Sequence, residues 1–199
     1  MSIIEALRTG TRDHHQRLEE HLDLPDRIRT PRDAATVLAA FLAAWAPLEA
    51  SLADGERVSW GSLGLPADLG ASSALLRADL DAVGGADVPA VPSPSFGSLA
   101  AAVGGRYVLL GSALGGKVLA PEIRRALGPD APDATRFFRR EGRNPGRDWR
   151  DFRLALGAHP WTGEQVDQAV AAARATFDHI ATTAIRCGIT PRRTRDAVA

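Results

Sequence analysis

The chain has 199 residues, enough for one domain of ordinary size, and 45% of them are hydrophobic, which supplies a core. Lys plus Arg and Asp plus Glu each number 24, so net charge gives no footing for nucleic acid and any electrostatic site has to be local. The single cysteine, Cys187, excludes an internal disulfide framework and a cysteine-based zinc site.

Ser2 followed by Glu5 has the form of a capping box, and Ile4, Leu7, Thr11, His14/His15, Leu18 and Leu22 continue at helical spacing towards Pro25. Thr30 with Pro31 marks a second start, and Ala34 to Leu52 reads as an apolar helix containing Trp45. The Gly/Ser/Pro-rich run from Asp54 to Ser72 reads as loop, and Leu75 to Val83 as a shorter helix ended by Gly84 and Gly85. Pro89, Pro92 and Pro94 form a stiff connector. A helix from about Ser95 to Leu119 follows, bent at its glycines, with Pro121 to Leu127 continuing or restarting it. Pro132 to Glu141 and Asp148 to Leu156 are two more helices, and a capping box at Thr162 and Gln165 opens a final one, Val166 to Cys187. No segment alternates with period 2 and no internal repeat is evident, so the expectation is an all-α domain over 1–188 with a disordered tail over 189–199. The N-terminus carries charge too early for a signal peptide, and no later stretch reads as able to span a bilayer. The expectation is a cytoplasmic protein without a membrane partner.

The most informative stretch is Gly104 to Lys117. Tyr107, Leu110, Leu114 and Val118 give it a helical period, yet Gly111, Gly115 and Gly116 lie inside it. Each interior glycine gives up roughly 1 kcal/mol of helix stability against alanine, so the three need a compensating role. Gly111 and Gly115 are four apart and open one face, either to something flat or to a second helix crossing there. No HExxH, di-iron Glu-x-x-His pair, P-loop, GxGxxG or GxSxG motif is present. What remains is a histidine pair on the first helix, this notched helix, and Arg147, Arg150 and Arg153 on one helical face. A histidine facing a glycine-opened helix suits a planar metal macrocycle. Periodicity alone does not choose between His14 and His15, which point about 100° apart.

Thr11-Arg-Asp-His-His-Gln-Arg-Leu-Glu19 resembles the proximal-helix motif of heme oxygenases, and Tyr107-Val-Leu-Leu-Gly-Ser-Ala-Leu-Gly-Gly116 resembles their distal helix. The serine after the first of these glycines is similar to bacterial members associated with bacteriophytochromes. The resemblance implies a single-domain multi-helix bundle with heme b, substrate and cofactor at once, between a proximal and a glycine-bent distal helix. It implies His15 as iron ligand, Glu19 orienting its imidazole, and Gly111, Ser112 and Gly115 at the reacting face. Arg8, Thr11, Leu18, Tyr107, Arg150, Arg153 and Phe177 are then heme contacts, with the arginines near the propionates. Arg8 lies two turns before His15, about 10 Å along the axis, which suits that role. The implied reaction uses dioxygen and electrons from a ferredoxin or flavin reductase to open heme to biliverdin, carbon monoxide and ferrous iron. A bacteriophytochrome is a possible recipient of the biliverdin. Mammalian-type members carry aspartate where this chain has Ser112, so its distal waters need another anchor: Ser112 itself, a backbone carbonyl, or a more distant group. A heme carrier without turnover and a cofactor-free interaction module are the alternatives.

Overall fold

In a computed structural model of the chain, residues 1–54, 58–69 and 72–191 are described. Seven α-helices and one 3-10 turn, with no strand, make up these residues: α1 (Ile3–Leu22), α2 (Pro31–Ala53), the 3-10 turn (Trp60–Leu63), α3 (Ser72–Ala82), α4 (Leu99–Leu127), α5 (Arg136–Arg139), α6 (Pro145–Ala158) and α7 (Gly163–Arg186). The all-α expectation holds.

Local chemistry starts the long helices. Ser2 with Glu5, Thr30 with Asp33 and Thr162 with Gln165 each form a full capping box, satisfying amides that the first turn leaves without partners. The glycine helix begins at Leu99 with Ser98 as its cap, and it runs unbroken through Pro121 to Leu127. The expected helix over Pro132 to Glu141 shrinks to one turn. Its amides go elsewhere: the Thr135 amide bonds Asp133, the Phe137 amide bonds the buried Asp79 carboxylate at 2.8 Å, and Arg140 turns to a left-handed φ of 51°.

The hub is α7, which packs against α4, α1 and α2. Its contact stripe is small, with Ala169, Ala173 and Ala184 all buried, so neighbours come close. Gly104 of α4 sits at the tightest crossing: a Cβ there would lie 2.1 Å from the Ala169 carbonyl oxygen. On the far side α2 carries Leu38, Leu48, Leu52, Phe41 and Trp45 into the core, the last two stacked 5.1 Å apart.

Two sequence expectations change. By length and composition, Pro31–Ala53 and Leu99–Leu127 are both apolar enough to cross a membrane, but most of each lies buried within the bundle as a core helix. The packed chain also continues past residue 188. Ile189 is 1% exposed and its carbonyl accepts from His21 Nε2 at 2.7 Å, while Arg27 donates to the Thr190 carbonyl at 2.8 Å. Residues 192–199 of the expected tail lie outside the described residues.

His179, on α7, is 8% exposed and donates from Nε2 to the Ala44 carbonyl of α2 at 3.3 Å. Burial holds its pKa below the ordinary 6.5, against a smaller upward pull from that carbonyl. As pH falls, the unfolded chain therefore takes the proton first. The stability that neutral His179 contributes is complete above about pH 6.5 and is lost as pH drops from there towards the folded value. Urea melts at pH 7.5 and 5.5 should show the wild type weakening, and His179→Gln should flatten that slope. An equal slope in both proteins would assign the effect to other groups.

Candidate functional site

α1 and α4 share little direct contact, since both lean on α7 and α6. Thr11 and Tyr107 face each other between them, near enough for the Thr11 hydroxyl and the Arg8 charge to bear on the Tyr107 phenol. Burial pushes the Tyr107 pKa up, and Thr11 and the charge of Arg8 pull it part of the way back. Thr11 is 2% exposed and donates to the Leu7 carbonyl at 2.7 Å. Behind Tyr107 stands Trp149 of α6, with ring centroids 5.5 Å apart. Arg8, Thr11 and Tyr107, drawn from distant parts of the sequence, thus form one cluster.

The second cluster holds the histidines. His15 is exposed, its Nδ1 lies 3.4 Å from Glu19 Oε2, and its ring stands edge-on to Phe177 of α7 at 5.7 Å. With Nδ1 facing a carboxylate, Nε2 is the nitrogen left to meet a metal. His14 is different. Its side chain is only 20% exposed and its Nε2 lies 3.7 Å from Asp178 of α7, so the nitrogen that would ligate already faces a partner. Leu18 is a core residue on the buried side of α1, and Phe177 is likewise buried.

The glycines of α4 divide into two kinds. A Cβ on Gly104 or Gly116 would strike backbone, the latter 2.4 Å from the Phe138 carbonyl oxygen. Gly111 and Gly115 have nothing within 4 Å of where a Cβ would be. The helix-crossing explanation therefore applies to Gly104 and Gly116, and the face at Gly111 and Gly115 is open to a ligand. Next to it, the Ser112 hydroxyl donates to the Leu109 carbonyl at 2.8 Å and accepts from Arg140 at 3.3 Å.

Arg150 and Arg153 are exposed on α6, where Arg150 bonds Asp151 at 3.2 Å. They stand on the helix that touches both α1 and α4. Among the described residues no cluster of three or more His, Cys, Asp or Glu side chains could hold a metal ion.

Sequence reasoning missed the buried arginines. Arg140, 6% exposed, lies over Phe137 at 4.6 Å and contacts Ser72, Leu109 and Ser112. Arg106, 4% exposed, lies over Trp60 at 4.5 Å and donates to the Pro66 carbonyl at 2.6 Å. Burial pushes both guanidinium pKa values down to about 10. Apart from Phe137 these neighbours are far away in sequence, so spacing gave no signal.

No protein-family model matches this sequence. A heme oxygenase of Xanthomonas campestris pv. campestris (strain 8004) is 36% identical to it over 107 residues, 54% of this chain and 63% of the relative. The chain thus spans a little under two thirds of the length of that curated relative. The structure of a heme oxygenase from Leptospira interrogans superposes with a TM-score of 0.70 at 20% identity, covering 94% of this chain and 100% of that one. This chain therefore has the fold of that heme oxygenase.

Proposed function

We propose that the chain is a heme oxygenase, opening heme to biliverdin, carbon monoxide and ferrous iron with dioxygen and externally supplied electrons. The observation that carries this reading is the open face at Gly111 and Gly115, on a helix whose other glycines are packed to contact. An interior glycine with empty space beside it lowers helix stability and gains nothing from the bundle, so its use lies in what approaches from outside.

When bound, heme supplies both the iron that activates dioxygen and the carbon skeleton that is oxidised. The chain's own residues bind and aim it. His15 is the ligand, with Glu19 holding Nδ1 so that Nε2 points away. Phe177 supports the imidazole edge-on, and Gly111 and Gly115 admit a flat ring against bare backbone. Ser112, beside that face, can accept a hydrogen bond there. Arg8, with Arg150 and Arg153, offers exposed positive charge to the propionates and to an acidic electron donor, a ferredoxin or a flavin reductase. The product would leave for iron release or for a bacteriophytochrome, and the reaction belongs in the cytoplasm with the reductants it needs.

The test is a hemin titration followed by ascorbate or a reductase under air. A 1:1 complex that loses its Soret band as biliverdin appears supports the reading. A stable 1:1 complex with no biliverdin would make the protein a heme carrier, and failure to bind hemin would remove heme altogether.

A further inference from the structure

Arg140 is an expensive residue where it stands. It is 6% exposed, and burial has already moved its pKa down to about 10. Among the described residues no carboxylate pairs with it. The two whose charge reaches it are Glu49 of α2 and Asp148 of α6. Glu49 is occupied by the amides of Ser72 and Ser73 at 2.7 and 2.9 Å and by the Ser73 hydroxyl, and Asp148 lies 3.3 Å from Arg143. Neutral oxygens and the face of Phe137 are a partial return for a buried cation, which still costs stability unless its charge serves something else.

Its donors go to the Ser72 hydroxyl, and at 3.3 Å to the Leu109 carbonyl and the Ser112 hydroxyl. That pattern fixes the polarity of Ser112. The serine proton is spent on the Leu109 carbonyl, one lone pair faces Arg140, and one lone pair remains. Beside them is a cavity of about 20 Å³ bordered by Ser72, Leu109, Ala113, Arg140, Arg143 and Asp148. It has the size for one water molecule, with Ser72, Arg140, Arg143 and Asp148 as polar partners in an otherwise apolar lining. Ser112 adjoins Gly111 in the helix, so the chain of contacts runs from a buried cation to the edge of the open face.

We propose that Arg140 is the positioning residue of this face, fixing Ser112 as a hydrogen-bond acceptor and lending the face a positive potential that favours small anions over neutral molecules. It is the more distant group that the substitution of serine for aspartate calls for, and it reaches the site from the corner after α5 rather than from α4. The inference rests on the heme reading, and its test separates the two.

The ferric hemin complexes of wild type, Arg140→Met and Arg140→Lys are titrated at one pH with azide, an anion, and with imidazole, which is neutral, and followed by absorption. Arg140→Met should weaken azide binding about tenfold while imidazole stays within about twofold, and Arg140→Lys should hold azide within about threefold of wild type. A residue that only supported the packing would shift both ligands together, so parallel losses, or no loss of azide, overturn the proposal. Should Arg140→Met fail to fold, Arg140→Gln keeps two donors without the charge and carries the same expectation. Failure of the wild type to bind hemin would instead overturn the heme reading itself.

Discussion

Replacing His15 with alanine is expected to lower hemin affinity by at least about a hundredfold, roughly 3 kcal/mol, and to abolish the spectrum of a histidine-ligated complex. The imidazole is exposed, so its removal leaves little void: its ring contact is the edge of Phe177, and its carboxylate partner Glu19 is itself exposed. Folding should therefore survive, and far-ultraviolet circular dichroism should match the wild type. His14→Ala should retain the hemin spectrum, because that imidazole is turned to Asp178. Glu19→Ala should fall between them, at about tenfold, as expected for a group that orients a ligand without touching the metal. If His14→Ala loses hemin and His15→Ala keeps it, the ligand has been assigned to the wrong residue.

The same substitution on one helix should have opposite effects at different glycines. Gly104→Ala places a methyl 2.1 Å from the Ala169 carbonyl oxygen and 2.8 Å from the Ala173 amide nitrogen, both backbone atoms of the central helix. Neither can rotate aside, so α4 and α7 must separate, at a cost of about 2–4 kcal/mol. Gly115→Ala meets nothing within 4 Å and adds helix propensity. It should stabilise the free protein by about 1 kcal/mol, a rise in Tm of roughly 2–4 °C. Function should run the other way. Gly115→Leu and Gly111→Leu should keep or raise the Tm while hemin binding falls steeply, because the added side chain occupies the face a flat ring would use. Wild-type hemin affinity in both leucine variants would mean that this face is not the cradle.

The elements that sequence made legible are those with local causes. Two capping boxes, the Thr30 cap with proline at the first position of α2, and the apolar periods of α1 and α7 lie within a few residues of what they determine, and the helices begin close to those signals. The glycine notch was legible as an anomaly, but spacing could not separate Gly104 and Gly116, which meet backbone, from Gly111 and Gly115, which meet nothing. Nor could it foresee α5. Asp79 is 57 and 58 residues from Arg136 and Phe137, and its carboxylate reshapes the segment that local propensity alone reads as a full helix. Arg140 was hidden for the same reason: an Arg-Arg pair beside Glu141 reads as a solvated surface, and a left-handed turn folds it inward against Ser72 and Ser112.

The position of α7 as hub has a consequence for the order in which the protein is made. The helix that carries His15 leaves the ribosome well before α7, the helix it packs against most extensively. Phe177, which supports the imidazole, and Ile189, whose carbonyl holds His21 at the end of α1, follow more than 150 residues later. Contacts that close so long a loop form late in folding. A nascent chain therefore carries His15 long before it carries Phe177, and on the proposed reading heme capture would await the arrival of α7.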